Sequence, residues 1–462
     1  MIPLWAHHLL STLSFLLTLA FVSSILRSRR AAGSTVAWLF VICLIPYVGI
    51  PMYLFFSTRK FTTRLRKKTK IYHSASPGES AEVALSLPPI QRILHASGVP
   101  EAKPNRQIAL LPSGVDAYNK LMELIRGARQ SIHLTTFVFR NDPVGAAVVE
   151  ALAERAAAGL DVRVLVDSLG ATMIRHPSFN QLTRAGGKIA YFMPILHVPL
   201  QGRTNLRNHR KLLVVDGKTA VLGGMNIAQE YLGPTELPDR WVDLALHLEG
   251  GCVNDLQEIF LQDWAYANRG RDSEGRDSYE RGPQGDSFLA QVVASGPDVA
   301  GDPLYDVLLS AINEAKTSVW VVTPYFIPDE SLAKALELAA KRGVGVHIVI
   351  PKKSNHRLAD LARGSFVRQL ESGIEFGLFP RMIHAKVVLI DEKFAILGSA
   401  NFDMRSLLLN FELGLAVYSK EVVVAVEQWI REKHRETTHD FAKANFWRDL
   451  AEGIGRVIGP IL

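Results

Sequence analysis

Only two cysteines, Cys43 and Cys252, occur in the 462 residues, and Cys43 lies inside an apolar run. That excludes a disulfide framework and gives no sign of an oxidising compartment. No histidine, cysteine or acidic residues cluster at metal-ligand spacing, so neither a metal nor another cofactor is expected. The first apolar run has no basic residue ahead of it and no small-residue cleavage site after it, which argues against a cleaved signal peptide. There is no acidic excess either. Lys and Arg total 52 against 45 Asp and Glu, a net charge of +7, which fits an anionic partner such as nucleic acid or an acidic membrane surface.

Long stretches without charge are present. Leu9 to Leu26 carries no formal charge, and Arg27, Arg29 and Arg30 follow; Ala31 to Ser57 is again uncharged and apolar. About 20 apolar residues cross a bilayer core, so both runs read as transmembrane segments. Pro46, Gly49 and Pro51 should kink the second or make it partly re-entrant. Seven basic residues follow (Arg59, Lys60, Arg64, Arg66, Lys67, Lys68 and Lys70) against three between the runs. This places the body in the cytoplasm and the short loop outside. The same cluster could hold anionic headgroups or serve only as a topology signal.

The remainder is duplicated. Ala128 to Thr136 parallels Ala315 to Thr323, and each segment leads to aromatics, Phe137 and Phe139 or Tyr325 and Phe326. Each copy continues into an alanine-rich helix ending at Gly159 or Gly343, then a β-rich strand. The expected fold is α/β with pseudo-twofold symmetry, mixed sheets flanked by helices, after the two transmembrane helices. The boundaries read as 1–58 membrane segments, 59–104 basic connector, 105–268 first half, 269–287 linker and 288–462 second half.

Each half carries one His-x-Lys-x4-Asp pattern: His209, Lys211 and Asp216, then His384, Lys386 and Asp391. On a strand, residues two apart share a face, so each histidine projects with its lysine. Each motif reads as a hairpin with the chemistry on its first strand. The aspartates fall at the turns; they belong to the catalytic pattern, but their position favours a structural role. Two imidazoles suit phosphodiester exchange, one attacking phosphorus while the other moves protons. Two lysines can neutralise the non-bridging oxygens, supplying the charge a metal would. Asp243 in Trp241-Val242-Asp243 and Glu412 in Asn410-Phe411-Glu412 are the expected orienting partners of the two histidines.

These paired motifs, with the tails Gly223-Gly224-Met225-Asn226 and Gly398-Ser399-Ala400-Asn401, resemble the phospholipase D superfamily from about residue 105 onward. Two apolar N-terminal runs, Arg207 to Lys211 and Gln291 to Asp298 resemble bacterial cardiolipin synthases more narrowly. The resemblance implies a duplicated phospholipase D fold and a phosphatidyltransferase in the bacterial inner membrane. It implies a ping-pong reaction through a phosphatidyl-histidine, from two phosphatidylglycerols to cardiolipin and glycerol. By the same analogy His209 is the nucleophile and His384 the acid and base, although the residues themselves do not separate them. Asn226, Asp243, Ser399, Asn401 and Glu412 are the implied supporting residues. Gly224 departs from the usual hydroxyl residue, which leaves any phosphate contact there to backbone or Asn226.

The expected partners are phospholipid substrates, the membrane and its anionic headgroups, without nucleic acid. The alternatives left open are a membrane-anchored phospholipase D that passes the intermediate to water, a tethered nuclease with the same motifs, and a silent scaffold. Donor and acceptor could also be phosphatidylethanolamine or free glycerol. His7 and His8 read as interfacial, and His133, His247 and His347 as packing residues. His197 lies in an insertion, Met193 to Arg207, that could wall a cleft or form a plain loop. The C-terminus from Phe446 is mildly amphipathic and could lie on the membrane or pack on the body.

Overall fold

The computed structural model describes residues 4–27, 32–56, 68, 71–72, 87–172, 177–193, 206–268, 287–370, 373–441 and 445–458. The expectations for the basic connector apart from Lys68, for most of the His197 insertion, for the linker up to residue 286 and for the His7 and His8 side chains lie outside the described residues.

The chain divides into a helical N-terminal unit and an α/β body. The N-terminal unit holds α1 (Leu4–Arg27), α2 (Ala32–Leu44) and α3 (Pro46–Phe56). The second apolar run is thus broken at Ile45, where Pro46 cannot donate to a preceding carbonyl. Its two pieces have 13 and 11 residues, each short of the ~20 that a span requires. Among the described residues no helix is long and apolar enough to cross a membrane. Tyr53 packs edge-on against Phe21 and Trp38 and closes a small core with Ile25 and Ile42.

The body begins with α4 (Pro89–Ala96). The first half then runs β1 (Lys103–Leu111), α5 (Gly114–Gly127), β2 (Ser131–Thr136), α6 (Pro143–Ala157), β3 (Asp161–Asp167), α7 (Ser168–Thr172), α8 (Pro177–Arg184), β4 (Lys188–Phe192), β5 (Leu212–Val215), β6 (Thr219–Gly223), β7 (Ala245–Gly250) and α9 (Gly251–Ala267). The second runs β8 (Phe288–Ser295), α10 (Pro303–Glu314), β9 (Ser318–Val322), β10 (Phe326–Ile327), α11 (Glu330–Lys341), β11 (Gly345–Pro351), α12 (Arg357–Leu370), β12 (Ile374–Phe379), β13 (Val387–Ile390), β14 (Phe394–Gly398), β15 (Phe402–Asp403), α13 (Met404–Leu408), β16 (Glu412–Val417), α14 (Lys420–Arg435) and α15 (Phe446–Ile458).

All the long strands join one 14-stranded sheet ordered β12-β11-β9-β13-β14-β16-β8-β1-β7-β6-β5-β2-β3-β4. Read from either end, the two sets of seven strands have the same order. The pseudo-twofold axis passes between β8 and β1, which pair antiparallel from Lys103↔Ala290 to Asn105↔Phe288. The outer strands of each half run parallel and the central ones antiparallel. The parallel strands β2, β3, β9 and β11 are rich in β-branched and apolar residues and mostly buried on both faces, the pattern of parallel strands. Asp142 and Asp329 cap α6 and α11, accepting from Gly145 N at 2.8 Å and Leu332 N at 3.0 Å.

Both expected hairpins form, β5–β6 and β13–β14. Their turn residues have positive φ: Asp216 at 53° and Gly217 at 65°, Asp391 at 52° and Glu392 at 55°. Each loop is three residues long, and positive φ at its first two gives a tight turn closed by Lys218 N on Val215 O or Lys393 N on Ile390 O, both at 3.0 Å. Glycine does this without penalty; Glu392 does it under strain.

Candidate active site

His209 and Lys211 stand just ahead of β5, and His384 and Lys386 just ahead of β13, not within the strands as expected. Each motif is instead stitched to the opposite half. The His209 N–H donates to Phe411 O and the Phe411 N–H to Arg207 O, both at 2.9 Å. In the mirror arrangement the His384 N–H donates to Val242 O at 2.6 Å and the Val242 N–H to Met382 O at 2.9 Å. Glu412 follows Phe411 and Asp243 follows Val242, so each carboxylate is delivered to the histidine of the other half.

The pairing is therefore crossed. His209 Nδ1 lies 3.0 Å from Glu412 Oε1 and 3.2 Å from both Glu412 Oε2 and Ser399 O. His384 Nδ1 lies 2.8 Å from Asp243 Oδ2. A carboxylate at Nδ1 accepts a hydrogen bond from the Nδ1–H, which fixes that tautomer and leaves the lone pair on Nε2. Aromatic rings frame both imidazoles: Phe137 edge-on to His209 at 5.1 Å, Tyr231 and Trp241 against His384 at 5.0 and 5.5 Å.

Both lysines are buried. Lys211 Nζ donates to His209 O at 2.7 Å. Lys386 Nζ lies 2.7 and 3.1 Å from the two ring nitrogens of His384 and also donates to its carbonyl. Loss of solvent, then the nearby Lys211 charge, lowers Lys386 to about 7 despite the neighbouring carboxylates Asp243 and Glu412. Burial lowers Lys211 to about 8. Burial, then the Lys386 charge, brings His384 down to about 3, and burial lowers His209 as well. Lys386 acts on His209 and Lys211 on His384, so the two motifs form one electrostatic unit. The cluster sets two lysines against two carboxylates, and each carboxylate is engaged by an imidazole; a phosphodiester would bring the lysines a further anionic partner.

Asp216 and Asp391 stand apart from this cluster. The Asp216 carboxylate accepts the backbone N–H groups of Arg129, Gln130 and Ser131 at 2.7–3.2 Å. Asp391 accepts those of Lys316, Thr317 and Ser318, plus Thr317 Oγ1, at 2.7–3.0 Å. Both carboxylates are spent on these loops and not on the histidines. Each closes a hairpin onto the turn before β2 or β9, as their position at the turn suggested.

Of the supporting residues, Ser399 donates its hydroxyl to Glu412 Oε2 and fixes that carboxylate. Asn226 uses its carbonyl on Val138 N at 3.1 Å and Thr136 Oγ1 at 3.4 Å. Asn401 Oδ1 is buried without a hydrogen-bond partner. The unusual Gly224 has a local reason: a Cβ there would come within 2.4 Å of Asp243 Oδ1. One half pairs serine with glutamate and the other glycine with the aspartate that occupies the serine's place.

Sequence reasoning missed the floor of the site. Arg210, between the catalytic pair, turns away and binds Asp263 at 2.8 and 2.9 Å and Asp298 at 3.2 Å. Lys68 binds the same two carboxylates. Lys68 is therefore not available to a lipid headgroup, since its side chain is 1% exposed. Asp167 accepts from Asn208 N at 2.8 Å and faces Arg207; burial raises it to about 6 against that cation. The available signal was that Arg207 to Lys211 and Gln291 to Asp298, two of the stretches carrying the family resemblance, hold Arg210 and Asp298.

A family profile described as "Cardiolipin synthase, PLD-like domain" matches residues 121–264 and 308–434. Cardiolipin synthase 1 of Bacillus anthracis is 32% identical, covering 94% of this chain and 90% of that protein. The chain belongs to the cardiolipin synthase family. The major cardiolipin synthase of Bacillus subtilis is 31% identical over 98% of this chain and all of its own length, and cardiolipin synthase 1 of Staphylococcus aureus strain COL 33% over 96% and 95%. A "Phospholipase D-nuclease N-terminal" profile matches residues 16–57. Among solved structures, phosphatidylserine synthase from Haemophilus influenzae superposes with a TM-score of 0.61 at 18% identity, over 81% of this chain and all of that one. At that identity the likeness speaks for the fold.

Proposed function

We propose that the enzyme transfers the phosphatidyl group of one phosphatidylglycerol to the terminal glycerol hydroxyl of a second, giving cardiolipin and glycerol. The crossed pairs His209–Glu412 and His384–Asp243, with two buried lysines between the halves, carry the reading. His209 Nε2 attacks phosphorus, the bond to the glycerol headgroup breaks, and that oxygen takes a proton from His384. His384 then takes the proton of the incoming hydroxyl as its oxygen attacks and the N–P bond breaks. Nothing else is consumed. In the empty site His384 is neutral; the entering phosphodiester anion offsets the two lysines and favours its protonated form.

The apolar N-terminal helices hold the chain in the inner membrane of a bacterial cell, with both runs embedded and the body on the cytoplasmic side. Helix α15 supports a body against lipid. One face packs on α12, where Arg368 Nε donates to Glu452 at 2.8 Å, while Phe446 and Trp447 are each 74% exposed. Aromatic residues favour the membrane interface.

Mass spectrometry of products from labelled phosphatidylglycerol tests the reaction. Labelled cardiolipin and glycerol are expected; phosphatidic acid alone would mean that water is the acceptor. Adding phosphatidylethanolamine tests the donor.

Two further outcomes are expected. In kcat/KM, which reports the free enzyme, activity should fall above pH ~7–8 as Lys386 and then Lys211, lowered to about 7 and about 8, lose their protons and with them the charge that receives phosphate. A rate still rising to pH 9 would contradict this. Gly224→Ser should lower turnover about 100-fold, because displacing the Asp243 carboxylate by ~1 Å misaligns His384. Ser399→Gly should cost less, since it removes one hydrogen bond and no space. Initial rates on phosphatidylglycerol vesicles measure both.

A further inference from the structure

A second cluster of imidazoles lies at the outer edge of the second half. His347 comes from β11, Glu375 from the edge strand β12, and His434 from the last turn of α14, with His439 just beyond. The His347, Glu375 and His434 ligand atoms all lie within 4.8 Å of one another. His347 Nδ1 is 2.7 Å from Glu375 Oε2, while His434 Nε2 and His439 Nε2 are 3.1 and 3.6 Å from Oε1. Trp320 stacks on His347 at 4.0 Å and meets His434 edge-on at 5.1 Å, which fixes both rings.

Hydrogen bonding alone does not satisfy this cluster. His439 Nδ1 donates to Phe376 O at 2.9 Å, so a neutral His439 points the lone pair of Nε2 at a carboxylate oxygen. His434 Nε2 is buried 3.1 Å from that oxygen, yet makes no hydrogen bond of acceptable geometry. Imidazole nitrogens and a carboxylate converging on one point form a donor set that a cation between them would satisfy. A backbone carbonyl on the far nitrogen of His439 is the support that metal-bound histidines use.

We propose that His347, Glu375, His434 and His439 bind one zinc-class divalent ion. Three imidazoles and one carboxylate form a borderline donor set, and bonds of about 2.0–2.1 Å give a tetrahedral edge near 3.3 Å. The separations of 3.1 and 3.6 Å bracket that edge; His347 moves outward by a few tenths of an ångström, and the exposed His439, outside the converged trio, swings in to join. With four protein ligands the site is closed and structural. It reinforces the outer edge of β12, where Leu378 already pairs with Thr438 just beyond α14. In sheet order β12 lies three strands from β13, about 14 Å, so the site is separate from the catalytic histidines.

The test uses the full chain in detergent, with no histidine tag, loaded with zinc and dialysed. Elemental analysis should find one zinc per chain. Glu375→Gln, which keeps shape and can still accept from His347, and His434→Ala should each weaken zinc binding in a chelator competition. Losing a hydrogen-bond partner of a metal ligand costs about 10–100-fold, and losing a ligand should cost at least as much. His95→Ala, outside the cluster, should leave affinity unchanged. Chelation should lower the thermal midpoint of the wild type and not that of Glu375→Gln, with far-UV circular dichroism checking that the variants are folded. Less than ~0.1 zinc per chain, or a zinc count that follows His384→Ala instead of the cluster variants, overturns the proposal.

Discussion

His209→Ala is expected to lower phosphatidyl transfer by about 10⁴–10⁶-fold, the range seen when a nucleophile or its base is removed from a group acting as a unit. Glu412→Gln should follow at about 10³–10⁴-fold, because it leaves the imidazole in place with the wrong proton arrangement. The crossed geometry makes the sharper claim. A donor lipid with an activated leaving group such as p-nitrophenol needs no acid in the first step. With it, His384→Ala and Asp243→Asn should still form the phosphatidyl-enzyme and then stall, since the second step needs a base. His209→Ala and Glu412→Gln should fail to form it at normal rate. The variants thus sort as His209 with Glu412 and His384 with Asp243, against their order in the chain. If Asp243→Asn instead behaves like His209→Ala, the crossed pairing is wrong. If label is found on His384, the nucleophile and its carboxylate exchange roles together.

The contrast with the hairpin aspartates sharpens this. Asp216 and Asp391 belong to the same eight-residue patterns, yet each spends its carboxylate on backbone N–H groups. Their loss acts through the hairpins, on stability before chemistry.

The sequence made the duplication legible because strand–helix–strand segments recur with matching lengths, from Ala128 and from Ala315. It exposed the two histidines and lysines because spacing of two residues survives without knowledge of the fold. Asp243 and Glu412 were visible as partners; their crossing was not, since it depends on the Asn208↔Phe411 and Val242↔Ile383 bridges between halves. Nothing local announces that β1 meets β8 and turns two sheets into one. Gly224 read as a lost hydroxyl until Asp243 was seen in its place. Of the His347, Glu375, His434 and His439 cluster only the last two lie close in sequence, five residues apart, while Glu375 and His347 are 28 apart, so spacing alone did not assemble it. Lys68 was hidden in a different way: a buried lysine inside a basic run looks like its neighbours.

Arg210→Met is expected to destabilise the body by about 3–5 kcal/mol, the usual result of removing one partner from a buried ion network. Arg210 and Lys68 face Asp263 and Asp298, two cations to two anions, with all four side chains 0–1% exposed. Asp263 belongs to α9 of the first half and Asp298 follows β8 of the second, so the network ties the halves beneath the catalytic motif. Asn208 joins it through Asp263 at 3.1 Å and also accepts from Arg210 N at 3.0 Å, which anchors the backbone on either side of His209. Burial works against ionised Asp263, but Arg210 and then Lys68 outweigh it and hold its pKa below the usual value. A carboxylate depressed on folding stabilises above its unfolded pKa, ~3.9, and that stability is lost as pH falls through the folded value. Wild type should therefore hold its thermal midpoint to below pH 4 on this account and lose it in stronger acid. Arg210→Met should melt earlier at neutral pH and begin losing stability at higher pH, since Lys68 alone holds two carboxylates. Lys68→Met should do the same, and adding Asp298→Asn to it should recover part of the loss by restoring charge balance. If Lys68→Met melts with wild type across this range, the buried lysine contributes nothing, and the link between the connector and the catalytic floor is lost with it.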